Sequence, residues 1–286
     1  KSLNYFESIL KNTYNLGLVN KECVVSAGHL FKILLNESKV KLFPLDSEHF
    51  SLTSYFNKNL NNKYNKIYLT ASGGPFLKNK FNEIKNVSFN DAIKHPKWKM
   101  GYKNSIDSST LSNKCLELIE AHYLFNIPFK QLDAVIHPEA LIHSVIELNN
   151  YTTHLNYFYH SMSIPLLNFL NLDDQIDLSS NFKNNKYNFA TNSNLNFFKV
   201  DSNKFPIFKI FQQLNKKNPK DFIKFNLGNE FAVELFKNKK ISYGDIHKII
   251  NDSMSLDINN SINSIKNIIK YHSTFNNLLK YKYEKI

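Results

Sequence analysis

The sequence contains no arginine, although it is strongly basic. Its 286 residues carry 36 basic side chains against 24 acidic ones, which gives a formal net charge of +12. All the basic side chains are lysines, and they are spread through asparagine-rich segments such as residues 57–65. Recognition of bases and phosphates in nucleic acids favours the bidentate guanidinium group of arginine. We therefore expect the positive charge to be solvated, and no nucleic acid is predicted as a partner.

Cysteine and long apolar runs are also scarce. Cys23 and Cys115 lie far apart and form no CxxC pattern, which predicts free thiols in a reducing compartment and no disulfide framework. No apolar run approaches the roughly 20 residues that cross a bilayer, and residues 1–7 lack the pattern of a signal peptide. A soluble protein without a membrane partner is expected. The 42% of hydrophobic residues can form the core of one large domain or two modest ones.

Hydrophobic periodicity predicts a chain of mixed class, α/β or α+β, with a mixed sheet in its first part. Strands are predicted at 40–45, 67–70, 132–136, 144–148 and 152–158. After an N-terminal helix and a short strand that end near residue 18, helices are predicted at 27–35, 107–125, 208–214, 229–236, 243–250 and 262–279. The last four helices predict a small all-α C-terminal domain.

Composition predicts where these parts divide. A mixed domain is predicted at 20–180, a polar linker at 181–204 and the helical domain at 205–286. Residues 73–102 are polar, rich in lysine and interrupted by Pro96, a composition typical of a flexible flap over a site.

Three carboxylates are candidates for one divalent cation. Asp46 and Glu48 follow a predicted strand, and in extended backbone residues two apart lie on one face. Glu117 would arrive from a different element and complete a hard oxygen site suited to Mg²⁺ or Mn²⁺. The alternative is that these are ordinary surface acids, and for an isolated Asp-x-Glu that alternative has the better odds.

The predicted helix at 107–125 favours the cation site. With Asp107 as its N-cap, Ser109, Asn113 and Glu117 recur every four residues and share one face. Ser108 would lie at the helix start, where free backbone N–H groups bind phosphate, and Lys114 adds a positive charge. The alternative is a solvated helix face with a capping aspartate.

Two loop segments add candidate ligands. Ser72, followed by two glycines, could bring backbone amides close to a phosphate, although a Ser-Gly-Gly sequence is far more often only a turn. His95 and Trp98 are expected on the flap, the histidine to contact phosphate and the indole to exclude water. The alternative for Trp98 is a core anchor, which its lysine neighbours disfavour. His137 and His143 are interpreted as structural.

These motifs together carry a family resemblance. The matching segments are Asn20-Lys-Glu22, Pro44-Leu-Asp-Ser-Glu-His49, Thr70-Ala-Ser-Gly-Gly-Pro-Phe76, His95-Pro-Lys-Trp98, Met100-Gly101, Asp107-Ser-Ser-Thr110, Asn113-Lys114, Leu116-Glu117, Ile119-Glu-Ala121, Ile136-His-Pro138, Ile142-His-Ser144 and Asn229-Glu230. The chain resembles the 1-deoxy-D-xylulose 5-phosphate reductoisomerases of the non-mevalonate isoprenoid pathway. As a set, these segments are highly specific.

The resemblance implies an NADP-dependent oxidoreductase. Its reaction would rearrange a C–C bond of 1-deoxy-D-xylulose 5-phosphate with the help of a metal, then transfer hydride from NADPH to give 2-C-methyl-D-erythritol 4-phosphate. The implied metal ligands are Asp46, Glu48 and Glu117, with Lys21 as a further catalytic residue. The implied substrate-binding residues are Ser47, Ser72, His95, Trp98, Ser108, Asn113 and Lys114.

The same resemblance implies cofactors, partners and a compartment. NADPH would be bound by Asn20, Lys21, Glu22, Met100 and Gly101, and the cation would be Mn²⁺ or Mg²⁺. The protomers of this family pair, which implies a homodimer. A bacterial cytoplasmic location is implied, with a plastid-type organelle as the alternative. Residues 20–180 become the catalytic domain.

One part of the family pattern is missing from this sequence. A Gly-rich phosphate turn after a first strand has no counterpart, because Gly17 and Gly28 do not form that motif. Residues 1–19 are therefore expected to be the remnant of a nucleotide-binding domain, and, since the sequence begins at Lys1, coding sequence is expected upstream. One alternative function is a decayed protein that binds metal and phosphosugar without redox activity.

Overall fold

The computed structural model describes residues 2–57, 63–98, 100–171 and 194–283. The helices of this part are α1 (Leu3–Asn12), α2 (Lys21–Ser38), α3 (Ser47–Phe56), α4 (Phe81–Ile84), α5 (Phe89–Ala92), α6 (Tyr102–Thr110), α7 (Ser112–Phe125), α8 (Ser163–Leu170), α9 (Pro206–Gln213), α10 (Pro219–Lys237), α11 (Ile246–Ser255) and α12 (Ile265–Tyr283). In the described ranges, no helix combines the length and apolar character that crossing a bilayer requires.

The strands of the described residues form two sheets. They are β1 (Asn15–Leu18), β2 (Lys41–Pro44), β3 (Tyr64–Ala71), β4 (Leu132–Ile136), β5 (Ile142–Leu148), β6 (Thr153–Tyr157) and β7 (Phe198–Lys199). The first two strands pair in parallel, and the other five form a sheet in the order β6-β5-β3-β4-β7. Strand β3 runs parallel to β4 and antiparallel to β5, so the predicted mixed sheet is confirmed.

The central strand β3 brings the first loop residue of the site to the sheet edge. Ile67 and Leu69 are fully buried, and Thr70 and Ala71 are nearly so. This burial agrees with a β-rich apolar run between two neighbouring strands. The strand ends where Ser72 begins the glycine turn.

Two clusters of buried apolar side chains stabilise the fold. The first joins the five-stranded sheet to α7 and to helices α9–α11, and the second joins α1 and α2 to α12. Cys115 lies in the first cluster and Cys23 in the second, and both are free, as predicted. The predicted class, a mixed α and β part followed by helices, is therefore confirmed.

The predicted helix at 107–125 is wrong at its beginning. The chain forms α6 from Tyr102, breaks at Leu111 with φ +68°, and starts again as α7. Asp107 is consequently not an N-cap but a buried residue in the middle of α6. Ser108 lies in the last turn of α6 and not at a helix start.

Hydroxyl groups explain the break at Leu111. The hydroxyl groups of Ser109 and Thr110 donate to the main-chain oxygen of Ile106, at 2.7 and 3.1 Å. Such bonds compete with helix continuation. The side chain of Leu111 is 1% exposed, so its burial offsets the roughly 1–2 kcal/mol cost of a left-handed conformation.

Asp46 and Glu48 also differ from the prediction of extended backbone. Asp46 is the N-cap of α3, and Glu48 lies in the first turn of that helix. The main-chain N–H of Glu48 donates to Oδ1 of Asp46 at 3.3 Å. The two carboxylates are neighbours because of this capping geometry and not because of strand alternation.

The predicted flap includes residues that pack against the core, and the predicted linker is described only in its last part. Between residues 76 and 93, Phe76, Leu77, Phe81 and Ile93 pack against the first core cluster. The predicted linker lies outside the described residues up to position 193, and β7 follows within it and pairs with β4. The domain boundaries and the flexibility of the flap remain predictions.

Candidate metal and phosphate site

A cleft of about 290 Å³ lies where α3, α7, the end of β3 and the loop before α6 meet. Most of the residues singled out in the sequence line it. They are Lys21, Asp46, Ser47, Glu48, Ser72, His95, Trp98, Met100, Gly101, Ser108, Asn113, Lys114 and Glu117.

One wall of the cleft, which we call the carboxylate wall, consists of Asp46, Glu48 and Glu117. Each of the three can offer a carboxylate oxygen within 4.8 Å of those of the other two. The first two come from the start of α3 and the third from α7, so both helices must pack correctly to bring them together. The arrangement supplies hard oxygen ligands of the kind that Mg²⁺ and Mn²⁺ prefer.

Two buried lysines bridge the carboxylate wall. Nζ of Lys21 lies 2.7 Å from Oδ2 of Asp46 and 2.8 Å from Oε1 of Glu117. Nζ of Lys114 lies 2.6 Å from Oε1 of Glu48 and also contacts Glu117. Three carboxylates thus face two ammonium groups, which leaves a formal charge of −1 at a place with little access to water.

The pKa values follow from this crowding. Burial acts to lower the pKa of Lys21, but Asp46 and Glu117 outweigh it, and the pKa lies well above its ordinary value. Burial acts to raise the pKa of Asp46, but Lys21 and His49 outweigh it and hold the pKa well below its usual range. Burial and the nearby Glu48 carboxylate raise the pKa of Glu117, because together they outweigh the opposite effect of the two lysines.

A second group of cleft residues, which we call the hydroxyl wall, consists of Ser72, His95, Trp98 and Ser108. Nδ1 of His95 accepts hydrogen bonds from the main-chain N–H groups of Trp98 at 2.9 Å and of Lys97 at 3.2 Å. A ring nitrogen that accepts carries no hydrogen, so the neutral imidazole is protonated at Nε2 and donates to Oγ of Ser72 at 2.9 Å.

This tautomer leaves the Ser72 hydroxyl free to act as a donor. Its oxygen accepts from His95 and from the main-chain N–H of Gly74 at 3.2 Å. Burial, with the charge of His160 nearby, lowers the pKa of His95 to about 4, which favours the same neutral form. The hydroxyl hydrogen of Ser72 can therefore point into the cleft toward an anion.

The start of α7 supplies the helix terminus that had been predicted at Asp107. Asn113 lies in its first turn, where main-chain N–H groups have no partner within the helix. The side-chain amide of Asn113 donates to Glu117 and accepts from Lys21 at 2.8 Å. Ser109, predicted on the same face, instead faces Tyr243 and does not line the cleft.

Asn20 and Glu22, both predicted to bind a cofactor, do not line the cleft. The Asn20 side chain caps α2 by accepting from the main chain of Cys23 at 2.9 Å. Glu22 pairs with Lys103 at 3.0 Å. Both residues therefore hold the helix start that carries Lys21 into the cleft.

Sequence reasoning missed several cleft residues. His143, interpreted as structural, is 2% exposed yet lines the cleft, next to Trp98 and stacked on Phe158 with ring centroids 3.9 Å apart. Its position directly before Ser144 in a matched motif was the available signal. The other residues that were missed are Val19, Thr70, Ala71, Asn104, Leu111, Ala140 and Met162.

A mixed α and β fold with clustered carboxylates and with hydroxyl and amide donors in one cleft is typical of proteins that hold a divalent cation beside a phosphorylated small molecule. Two family models match the chain. The 1-deoxy-D-xylulose 5-phosphate reductoisomerase C-terminal domain matches residues 42–125, and the DXP reductoisomerase C-terminal domain matches residues 159–278.

Similar proteins carry the same family name. A 1-deoxy-D-xylulose 5-phosphate reductoisomerase of Clostridium tetani is 37% identical over 274 residues, which cover 96% of this chain and 70% of the relative. One of Pelagibacter ubique is 38% identical over 240 residues, 83% of this chain and 60% of the relative. An apicoplastic one of Plasmodium falciparum is 37% identical over 284 residues, 92% of this chain and 57% of the relative.

Solved structures agree with these relatives. The reductoisomerase of Zymomonas mobilis in complex with NADPH has a TM-score of 0.86 and 28% identity, and the match covers 99% of this chain and 73% of that one. A DOX-P reductoisomerase in complex with NADPH, fosmidomycin and magnesium has a TM-score of 0.83 and 27% identity, with 96% and 71% covered. The chain belongs to the 1-deoxy-D-xylulose 5-phosphate reductoisomerase family. It spans 60% and 70% of the length of the Pelagibacter and Clostridium relatives.

Proposed function

We propose that this chain supplies the metal and substrate site for the NADPH-dependent conversion of 1-deoxy-D-xylulose 5-phosphate to 2-C-methyl-D-erythritol 4-phosphate. The observation that supports this proposal best is the carboxylate wall, in which three acids from two helices converge. Membership of the family supports the reaction, and the hydroxyl wall supports a phosphorylated substrate.

The carboxylate wall fits a divalent cation. Asp46, Glu48 and Glu117 would hold it, since their oxygens are close together and already attract two ammonium groups. When bound, the cation supplies Lewis-acid stabilisation of the oxygens that become negative during rearrangement. Lys21 and Lys114 line the same cleft, so their ammonium groups can donate to substrate oxygens.

The hydroxyl wall fits the phosphate. Ser72 and Ser108 would donate through their hydroxyl groups, and Asn113 through its main-chain N–H in the first turn of α7. His95 orients the Ser72 hydroxyl, as its tautomer requires. Ser47 also lines the cleft, where it donates to Oε2 of Glu48 at 2.5 Å and can contact the sugar.

Trp98 and Met100 would cover the substrate. Both are half-buried in the cleft wall, and Trp98 packs edge-on against His143 and His160. Covering the substrate excludes water from the reacting atoms.

Three of the five residues that the resemblance assigns to NADPH line the cleft. Lys21, Met100 and Gly101 line the cleft and would face the nicotinamide, while Asn20 and Glu22 would position Lys21. When bound, the cofactor supplies the hydride. This assignment is supported by structural relatives described as complexes with NADPH.

The direct test follows NADPH absorbance with 1-deoxy-D-xylulose 5-phosphate and Mn²⁺ on protein expressed from the complete reading frame. The proposal predicts consumption of NADPH that requires both the ketose phosphate and the metal. Stoichiometric binding of the ketose phosphate without NADPH consumption would favour the decayed binding protein instead.

Assembly and location are proposed from the resemblance. We propose a homodimer, which sedimentation analysis would show as twice the 33.4 kDa mass of the chain. A bacterial cytoplasm or a plastid-type organelle is the proposed compartment, and the relatives include bacterial and apicoplastic proteins.

A further inference from the structure

A fully buried histidine lies behind the carboxylate wall. His49, in the first turns of α3, is 0% exposed, as is Glu120 on α7. Nε2 of His49 lies 2.9 Å from the main-chain oxygen of Glu117, and Nδ1 lies 3.4 Å from Oδ1 of Asp46 and 3.3 Å from Oε2 of Glu120. One imidazole ring thus contacts both helices that carry the carboxylate wall.

The contacts of Asp46 divide between its two oxygens. Oδ1 faces His49 and the main-chain N–H of Glu48, whereas Oδ2 faces Lys21 and the carboxylate wall. Rotation of the carboxylate would break both sets of contacts, and Oδ2 is the oxygen on the side of Lys21, which also bonds Glu117.

The ring of His49 must carry a proton at Nε2, because a carbonyl oxygen only accepts. Its Nδ1 then faces two carboxyl groups. It lies within ion-pair distance of both groups but makes no hydrogen bond to either of them.

Glu120 forms a second close group with Asp46 and His49, in which one potential ligand atom of each residue lies within 4.8 Å of the other two. Neither of the carboxylate oxygens of Glu120 has a hydrogen-bond partner among the residues that the structure describes, and Oε2 lies 3.3 Å from Nδ1 of His49. Burial of a carboxyl group without a hydrogen-bond partner lowers the free energy of unfolding. Proteins often keep such a buried polar group because it orients a residue that binds a metal.

We propose that Glu120 and His49 are positioning residues that fix Asp46 for cation binding, through a brace that consists of Asp46, His49, the main-chain oxygen of Glu117 and Glu120. The brace rests on the proposed function, because it assumes that Asp46 is a metal ligand. It adds to that function two residues that touch neither substrate nor cation.

The test measures Mn²⁺ binding to the 286-residue chain by electron paramagnetic resonance, with the metal alone as probe. Glu120→Gln replaces the carboxyl group with an amide of nearly the same volume and is expected to weaken Mn²⁺ binding by about 10 to 100-fold, the range found when residues that support a metal ligand are changed.

Two variants of His49 separate positioning from mere packing. In His49→Asn the amide nitrogen lies near the position of Nδ1 and can still contact Asp46, whereas in His49→Gln it lies near Nε2 and reaches only the Glu117 carbonyl. We expect His49→Asn to keep most of the wild-type affinity and His49→Gln to lose about as much as Glu120→Gln. His29→Gln is the control, because His29 bonds the main chain of Ile262 and does not line the cleft.

Wild-type affinity in Glu120→Gln would overturn the brace, as would an equal loss in both His49 variants. Circular dichroism separates loss of folding from loss of affinity, and Glu120→Gln decides the question if a His49 variant does not fold. The metal site itself would be contradicted if the wild-type chain bound no Mn²⁺. It would also be contradicted if Asp46→Asn bound Mn²⁺ as tightly as the wild type.

Discussion

The two walls of the cleft are built in different ways. The carboxylate wall comes from the first turns of α3 and from α7, and both of its helices pack against buried side chains. The hydroxyl wall comes mostly from loop residues, such as Ser72, His95 and Trp98, which are only half-buried. Helices hold a cation site within tight limits, whereas loops can adapt to a substrate that enters and leaves. The difference predicts that the walls respond differently to substitution.

The largest effect is expected from Glu117→Gln. A neutral side chain of the same size should be tolerated at a position whose pKa burial already raises, so the fold should remain intact. Metal affinity should fall by more than about 100-fold, beyond the loss caused by residues behind a ligand, and turnover should be abolished. Mn²⁺ titration with circular dichroism checks both expectations.

Glu234→Gln is the control for that substitution, since Glu234 pairs with Lys237 on the surface of α10. Wild-type metal affinity in Glu117→Gln would remove Glu117 from the carboxylate wall.

The next effect concerns acid stability on the side of the hydroxyl wall. Burial, only partly opposed by its bond to Phe158, lowers the pKa of His143 to about 3. Because the unfolded chain binds a proton near pH 6.5 and the folded chain does not, stability is present above pH 6.5 and is lost as the pH falls. His143 alone should cost about 2 kcal/mol between pH 7 and pH 5.

Urea unfolding of wild type and His143→Gln at both pH values measures this contribution. The variant should lose less stability on acidification than the wild type. An equal loss in the two proteins would show that His143 binds its proton in the folded state as readily as in the unfolded one.

Gly74→Ala should disturb the glycine turn of the hydroxyl wall. Gly74 has φ +67°, and a Cβ there would lie 2.7 Å from Cα of Ser109. The strain should cost about 1.5 kcal/mol of unfolding free energy. Thermal unfolding measures it, and Gly101→Ala is the matched control, because a Cβ at Gly101 meets nothing within 4 Å. Equal stability of the two variants would mean that the turn can relax.

The smallest effect is expected from single hydroxyl groups. Ser72→Ala or Ser108→Ala should weaken the binding of inorganic phosphate by about 1 kcal/mol, while Mn²⁺ affinity stays at the wild-type value. Ser109→Ala should change neither, because its hydroxyl bonds Ile106 and Tyr243 away from the cleft. Isothermal titration calorimetry measures both ligands. A loss of Mn²⁺ affinity in Ser72→Ala would show that the walls are one unit.

Local patterns in the sequence could predict most strands, the C-terminal helices and the three carboxylates of the cleft, whereas Lys21, Ser47, Met100 and Gly101 were expected there only from the family resemblance. Local patterns could not predict the break at Leu111, because leucine favours a helix and only the neighbouring hydroxyl bonds and the burial of its side chain stabilise the left-handed turn. The position of Asp46 as a helix N-cap could not be predicted either, since a short strand before an Asp-Ser-Glu segment is compatible with extended backbone or with a capped helix.

Contacts over long sequence separations form a second group that could not be predicted. The bond between His49 and Glu117 joins residues 68 positions apart, and that between Asn229 and Asp107 joins residues 122 apart. No local periodicity carries such information, so Glu120 was quoted only as part of a motif. The cleft role of His143 was missed for the same reason, because its partners come from β6, the flap and the sheet edge.

The central claim is that three acids from two helices bind one cation beside an anion pocket. The most direct measurement is anomalous diffraction from crystals of this chain grown with Mn²⁺ and inorganic phosphate. We expect one Mn²⁺ peak among the carboxylates of Asp46, Glu48 and Glu117, with phosphate density against Ser72 and Ser108. A Mn²⁺ peak elsewhere, with none among these three acids, would contradict it.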